Sequence, residues 1–131
     1  MIVLDTHVWI WFVSNPELLS EKASEAIETS IEENAVLISS ISAWEVALLV
    51  ARQRLKLTLD VADWVAKSEM LPFIQFVPID NDIAIKSVRL PEPIHDDPAD
   101  RIIIASAMSF GAPLVTKDAS IRKYPHVKTL W

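Results

Sequence analysis

Short apolar runs, too brief to form helices, alternate along this chain with longer segments of helical periodicity. The first, second and fourth runs are almost continuously apolar, whereas the third contains Pro78 and the fifth alternates between apolar and polar side chains. Strands that are apolar on both faces are typical of a parallel sheet covered by helices on both sides. The sequence therefore predicts an α/β fold with the third and fifth strands at the sheet edges. The runs comprise residues 1–5, 35–38, 73–79, 113–116 and 127–131.

Composition limits the functions that the chain can have. It has 131 residues, which suits a single domain over residues 1–131, with a net charge of −6 and no cysteine. The negative charge excludes bulk electrostatic attraction to nucleic acid. The lack of cysteine excludes disulfides and thiolate chemistry. The single glycine, Gly111, cannot supply the glycine-rich phosphate loop of nucleotide-binding folds. Because we find neither a signal peptide nor an apolar run of about 20 residues, we expect a cytoplasmic protein whose function depends on a local site.

Four acidic residues lie where predicted strands pass into helices. Asp5 follows the first strand, Glu45 lies in the helix after the second, Asp100 lies near the start of a long apolar helix, and Asp118 follows the fourth strand. Each has an ordinary structural explanation taken alone. Asp5 and Asp118 can cap helices, Ser42 with Glu45 can form a capping box, and Asp100 can be a first-turn acid.

Taken together, the four acids favour a shared site. The carboxyl ends of parallel strands open on the same edge of a sheet, so these side chains should converge. Two carboxylates about 5 Å apart repel by roughly 3 kcal/mol at an effective dielectric of 20, whereas a helix N-terminus stabilises one acid by only about 0.3–1 kcal/mol. Such a cluster needs a cation, and oxygen ligands without cysteine or histidine suit Mg²⁺ or Mn²⁺. The pattern predicts a metal site suited to phosphodiester hydrolysis.

Hydroxyl and cationic side chains near these acids are candidates for supporting roles. Thr6 and Thr116 could hold a water or a phosphate oxygen, or could be ordinary helix-start hydroxyls. Basic spots in an otherwise acidic chain could contact phosphates, or could be solvated helix ends. We assign no ligand role to the three histidines, which share no spacing, and we interpret Asp97 as a helix cap. The candidate RNA contacts are Arg101, Lys117, Arg52 and Arg54, with further basic residues at Lys56, Arg122 and Lys123.

The segments that carry the acids resemble those of the PIN-domain nucleases over the whole chain. Their order and spacing are similar to the VapC-like ribonucleases, the single-domain toxins of type II toxin–antitoxin pairs. The position of Ala99, where this family commonly has a large residue, is one departure from the pattern. The matching segments are residues 4–6 (Leu-Asp-Thr), 42–45 (Ser-Ala-Trp-Glu), 95–105 (His-Asp-Asp-Pro-Ala-Asp-Arg, then Ile-Ile-Ile-Ala) and 114–118 (Leu-Val-Thr-Lys-Asp).

The resemblance has specific implications for fold and activity. It implies a PIN-like three-layer α/β/α sandwich with a five-stranded parallel sheet in the order 3-2-1-4-5. It also implies Mg²⁺- or Mn²⁺-dependent endonucleolytic cleavage of RNA, a homodimer, and inhibition by a cognate antitoxin. The catalytic and metal-binding acids that it implies are Asp5, Glu45, Asp100 and Asp118.

Three other interpretations of the acids stay open at this point. A phosphatase-like domain would carry a second aspartate two residues after the nucleophile, where this chain has His7. A receiver-like domain would need paired acids after the first strand and a phosphorylatable aspartate after the third, where only Asp80 leads into a helix. A catalytically inert PIN-fold binding module needs none of the four acids, yet all four are present.

Overall fold

The computed structural model describes residues 1–131 and contains one sheet of five parallel strands in the order β3-β2-β1-β4-β5. The predicted strand order and both predicted edges are confirmed. The observed strands other than β2 are shorter than the predicted runs, and Pro78 lies just past β3 because it has no N–H for a sheet ladder. The strands are β1 (Ile2–Leu4), β2 (Val36–Ser39), β3 (Ile74–Val77), β4 (Leu114–Val115) and β5 (Thr129–Leu130).

Helices cover both faces of the sheet and connect its strands. None of them combines the length and the apolar character needed to span a bilayer. A short 3₁₀ turn, Pro16–Leu18, follows the first helix. The helices are α1 (Thr6–Ser14), α2 (Glu21–Glu32), α3 (Ser40–Ala51), α4 (Val61–Glu69), α5 (Asn81–Val88), α6 (Pro98–Phe110) and α7 (Ala119–Arg122).

Alternate residues of the central strands enter two separate hydrophobic cores. This follows from strand geometry, in which successive side chains point to opposite faces of a sheet. One core lies under α5, α6 and α7, and the other lies under α1, α2 and α4. The predicted three-layer sandwich is therefore confirmed. Val3, Leu37 and Leu114 face the first core, and Leu4, Ile38 and Val115 face the second.

The helix boundaries follow local chemistry, with one correction. Ser20 and Asp97 cap α2 and α6 as expected, accepting hydrogen bonds from backbone N–H groups in the first turn at 3.0 Å in both cases, and Gly111 ends α6 with a φ of 61°. The capping box considered as the ordinary alternative for Ser42 and Glu45 does not form. Helix α3 begins at Ser40 and is capped by Ser39, so Ser42 lies inside the helix.

Parallel pairing aligns the carboxyl ends of all five strands along one edge of the sheet, which we call the carboxyl edge. Helix α1 leaves it directly after β1, and α3 leaves it directly after β2. The first turns of these helices are therefore neighbours. This edge holds the candidate site.

Candidate active site

A pocket of about 510 Å³ opens at the carboxyl edge and is lined by all four predicted acids. Its remaining walls come from the first turns of α1 and from the segment after β4. Four of the lining side chains are acidic and one is a lysine, so negative charge predominates. The lining residues are Asp5, Thr6, His7, Val8, Trp11, Glu45, Asp100, Lys117 and Asp118.

Asp5 is the most deeply buried of the four acids, with an exposed fraction of 8%. It caps α1, and its Oδ1 accepts a hydrogen bond from the Thr6 backbone N–H at 2.9 Å. Its Oδ2 accepts a hydrogen bond from the Thr116 hydroxyl at 2.7 Å. Both carboxylate oxygens are thus held, and the orientation of the side chain is fixed. Each oxygen keeps a further lone pair for another ligand.

Glu45 projects from α3 and is held by the hydroxyl of Thr6. This hydroxyl donates to Glu45 Oε1 at 2.5 Å and lies 2.8 Å from the Ser42 hydroxyl. A carboxylate in an apolar helix needs a polar partner when it is partly buried. The hydrogen bond supplies that partner, and it also ties the start of α1 to α3.

Asp118 lies at the exposed rim of the pocket and caps α7. Its Oδ1 accepts hydrogen bonds from the backbone N–H groups of Ser120 and Ile121, at 2.8 and 3.2 Å, and from the Ser120 hydroxyl at 2.6 Å. Its own backbone N–H donates to the Thr116 hydroxyl at 3.0 Å. Thr116 therefore links Asp118 to Asp5.

Asp100 lies in the first turn of α6 beside His95. The Nδ1 atom of His95 accepts the backbone N–H of Asp97 at 3.2 Å, which leaves Nε2 as the protonated nitrogen of the neutral ring. That Nε2 lies 3.3 Å from Asp100 Oδ2. His95 is therefore oriented to contact the Asp100 carboxylate.

The pocket holds more negative charge than its surroundings compensate. Burial, followed by the charges of Asp5, Asp97, Glu45 and Asp118, raises the pKa of Asp100 to about 8. Burial also raises the pKa of Asp5 and of Glu45, and the threonine hydrogen bonds offset only part of this. Around Asp118 burial acts in the same direction, but the hydrogen bonds of the α7 cap together outweigh it and lower the pKa.

The donor chemistry of the pocket fits a hard divalent cation. All four acids offer oxygen ligands, and burial together with the neighbouring carboxylates raises the pKa of Asp100, an effect that a bound cation would oppose. Their present side-chain positions do not form a ligand set, because no three acidic or histidine side chains lie close enough together to hold one ion. Each acid is turned toward its own hydroxyl, histidine or helix end. Ligation by three of them requires side-chain rotation, and the predicted ligand set stays a prediction.

The two threonines hold carboxylates in place, and their predicted contact with a phosphate or water stays a prediction. Thr116 is completely buried and does not line the pocket, so its hydroxyl serves Asp5 and Asp118. Thr6 lines the pocket, but its hydroxyl proton is directed at Glu45. Both threonines orient carboxylates. This role depends on contacts between residues far apart in the chain, from Thr6 to Glu45 and from Thr116 to Asp5.

The four predicted cations are not equivalent in the structure. Lys117 lines the pocket, with its Nζ 5.8 Å from the centre of the Trp11 ring. Arg52 lies seven residues beyond Glu45 on α3, about 10 Å along the helix axis. Arg54 lies beyond the end of the same helix, and neither arginine lines the pocket.

Arg101 has a structural role, and its predicted contact with RNA stays a prediction. Its guanidinium donates hydrogen bonds to four backbone carbonyls at distances from 2.9 to 3.5 Å. These contacts tie α6 to the end of α5 and to the following loop. The acceptors are the carbonyl oxygens of Ser87, Val88, Ile94 and His95.

Sequence reasoning did not identify three side chains at the site. His7 and Trp11 line the pocket, with ring centres 6.0 Å apart. Their spacing of four residues on a helix that begins directly after Asp5 is the signal that could have found them, because such residues share a helix face. His95 has no comparable signal, since its position depends on how the loop before α6 folds.

Comparison with known proteins gives consistent matches over the whole chain. The family model described as PIN domain matches residues 2–127. The chain is 36% identical over 132 residues to Ribonuclease VapC22 of Mycobacterium tuberculosis (strain ATCC 25618 / H37Rv), covering 99% of this chain and 98% of that protein.

Solved structures with the same fold include toxin–antitoxin assemblies. VapBC2 from Rickettsia felis, bound to a promoter DNA fragment, matches with a TM-score of 0.71 and 16% identity, covering 99% of this chain and 98% of that one. A toxin–antitoxin complex from Klebsiella pneumoniae matches with a TM-score of 0.65 and 20% identity, covering 100% and 97%. At these identities the similarity establishes the fold.

Replacing Arg101 tests its structural role. We expect Arg101→Met to lower the free energy of unfolding by about 1–3 kcal/mol, because carbonyls at a partly buried site lose their donors. Urea denaturation measures this change. Arg89→Met removes an exposed arginine and is the control, with an expected change within about 0.5 kcal/mol. Unchanged stability of Arg101→Met would contradict the assignment.

Replacing Asp100 tests whether the pKa of its carboxyl group is raised in the folded protein. The pKa of Asp100 is raised from 3.8 to about 8 on folding, so its charged form opposes folding and the metal-free protein should lose stability as pH rises through this interval. We expect Asp100→Asn to raise the Tm in EDTA by roughly 3–6 °C at about pH 9, with a smaller gain at about pH 5 because Asp100 is then largely protonated in the folded state. Calorimetry measures both values, with Asp96→Asn as the control. An equal gain at both pH values would argue against a raised pKa of Asp100.

Proposed function

Because the chain belongs to the PIN-domain family, we propose that it is an endoribonuclease that depends on Mg²⁺ or Mn²⁺ and cleaves RNA phosphodiester bonds at the acidic pocket. The observation that carries this proposal is the grouping of four acids from distant segments around one pocket at the carboxyl edge. Similarity to a ribonuclease over 99% of the chain supports the substrate class. A phosphatase-like mechanism lacks its second aspartate, since His7 occupies that position.

The four acids would hold the cation in this proposal. A bound Mg²⁺ or Mn²⁺ polarises a phosphoryl oxygen and lowers the pKa of an attacking water. Asp5 presents its free lone pairs in a fixed direction because Thr6 and Thr116 hold both of its oxygens. Glu45, Asp100 and Asp118 complete the acidic lining. We assign Thr6 and Thr116 as positioning residues, because they act through the carboxylates.

Lys117 supplies positive charge at the mouth of this pocket. It is exposed and is the one lysine or arginine among the lining residues. A phosphodiester approaching four carboxylates is repelled unless cations compensate their charge. Lys117 therefore attracts the RNA phosphate.

We also propose that the chain is the toxin of a toxin–antitoxin pair and binds an antitoxin protein through helix α3. The structure from Klebsiella pneumoniae, which has the same fold, is described as a toxin–antitoxin complex. Helix α3 is mostly apolar, yet only Ser42 and Val46 are buried, and Trp44 is 55% exposed. An apolar helix face that the chain itself leaves open is typical of a protein interface. A homodimer, which the sequence resemblance implies, is the alternative occupant of this face.

Cleavage assays test the nuclease proposal. We expect Mg²⁺ or Mn²⁺ to support RNA cleavage and EDTA to abolish it. Asp5→Asn and Asp100→Asn should each lower the rate at least about 100-fold, because each replaces a charged oxygen ligand with a neutral amide. Asp96→Asn is the matched control and should retain the rate. Undiminished cleavage in EDTA, or by either site variant, would contradict the mechanism.

A binding assay with the protein encoded by the neighbouring gene tests the α3 interface. We expect Trp44→Ser to weaken the complex at least about 30-fold, as the loss of a central aromatic side chain does at interfaces. Phe110→Ser alters another exposed aromatic, 45% exposed at the end of α6, and should leave affinity unchanged. Sedimentation of the free chain gives its oligomeric state. If Trp44→Ser dissociates a dimer and leaves the complex intact, the face belongs to the homodimer instead.

A further inference from the structure

A second pocket, of about 320 Å³, lies beside Trp131 and contains no acidic side chain. We propose that this Trp131 pocket binds single-stranded RNA next to the cleavage site, with a base on the indole ring and phosphates on the surrounding cations. The inference rests on the proposed ribonuclease function and adds a substrate-binding site to it. The lining residues are Lys22, Ala119, Arg122, Lys123, Thr129 and Trp131.

Charge sets this pocket apart from the rest of the chain. Three of its six lining residues are cations, in a protein of net charge −6. Lys22, Arg122 and Lys123 are all exposed, and none of them takes part in the three ion pairs of the structure. Their charges are therefore available to a ligand. Three uncompensated cations around one pocket favour an anion with repeated charges.

The topology of the sheet brings these cations together at the carboxyl edge. Trp131 directly follows β5, and α7, which ends at Arg122, begins after the end of β4. Helix α2 ends shortly before β2 begins, so its first turn, with Lys22, points back toward the carboxyl edge. The Trp131 pocket and the acidic pocket thus open on the same edge of the molecule.

Aromatic rings connect the two pockets. The Trp131 ring centre lies 5.8 Å from the ring centre of Trp11, which lines the acidic pocket. The Nζ atom of Lys117 lies 5.8 Å from the same Trp11 ring. Cations and rings therefore follow one another from the cleavage site to the Trp131 pocket. Proteins that bind single-stranded nucleic acids combine these two kinds of contact, because bases stack on rings while phosphates contact cations.

The acidic pocket itself favours such a binding site. Its four carboxylates repel the phosphates on either side of the bond to be cleaved and Lys117 is the one cation that opposes them, so contacts outside the pocket add to the affinity for RNA. The Trp131 pocket provides positive charge within the reach of the same strand. Single-stranded RNA is favoured over a duplex because its unpaired bases are free to stack on a ring. An acidic peptide would use the cations, but it offers no base to the indole.

An RNA-binding assay tests this inference. Fluorescence anisotropy measures the binding of a fluorescein-labelled single-stranded RNA of about 12 nucleotides, in EDTA and over a range of salt concentrations. The test variant is Lys22→Gln/Arg122→Gln/Lys123→Gln. The plot of log K against log salt concentration has a negative slope. We expect this slope to become less negative by about 2 in the test variant, since each lost phosphate contact on a single strand removes about 0.7 from its magnitude. Trp131→Ala should weaken binding roughly 5- to 100-fold, and Trp131→Phe should restore most of it.

The control variant Lys67→Gln/Arg89→Gln/Lys128→Gln removes the same number and kind of charges from exposed positions outside both pockets. We expect its slope to match that of the unmodified protein. Equal losses in the test and control variants would mean that only net charge matters, which overturns the inference.

A labelled acidic peptide of the same length is measured in parallel. If the test variant loses affinity for the peptide and not for RNA, the pocket binds a protein and the inference is wrong.

Cleavage assays on the same proteins separate this inference from the proposed function. If the chain cleaves RNA and the test variant binds RNA as well as the control variant does, the Trp131 pocket is not a substrate site and the nuclease proposal stands. If no cleavage occurs but the test variant still loses affinity and salt dependence, the pocket is an RNA site and the nuclease proposal fails.

Discussion

The hydrogen bonds that fix the carboxylate of Asp5 are the interaction on which the rest of the candidate site depends. Thr6 and Thr116 supply them from the start of α1 and the end of β4, so three neighbouring segments meet at one side chain. The Thr6 hydroxyl also donates to Glu45, and the Thr116 hydroxyl accepts the backbone N–H of Asp118. A parallel sheet makes this arrangement possible, because the carboxyl ends of its central strands lie side by side. Replacing the Thr6 side chain would therefore release Glu45, and replacing Thr116 would release Asp5 together with the backbone of Asp118.

Grouping these acids opposes stability of the metal-free protein. Burial and mutual repulsion raise the pKa of Asp100 to about 8, so its charged form is disfavoured near neutral pH. The fold tolerates this because each acid also has a structural partner: a helix end, a hydroxyl or a histidine. Those partners hold each acidic side chain in its own orientation. Functional sites commonly contain locally destabilising features that the surrounding structure compensates.

The carboxyl edge is divided into regions of opposite charge. The acidic pocket lies over β1 and β4, and the cationic Trp131 pocket lies beyond it toward the edge strand β5. Trp11 and Trp131 lie between them. This division explains how a chain of net charge −6 could bind a polyanion, because attraction comes from a local group of cations and not from total charge. The apolar outer face of α3 is a separate surface, suited to a protein partner.

The sequence alone predicted the α/β class, the parallel sheet, its edge strands and the positions of the acids. These follow from local patterns, since an apolar run such as 35–38 and a helix cap such as Asp97 depend on neighbouring residues. The strand order came from resemblance to a family, and the structure confirms it. Tertiary structure decided the rest. It turned Thr116 toward Asp5, directed Arg101 to backbone carbonyls and placed Lys22 beside Arg122. Contacts between residues far apart in the chain depend on packing and side-chain rotamers, which local sequence patterns do not encode.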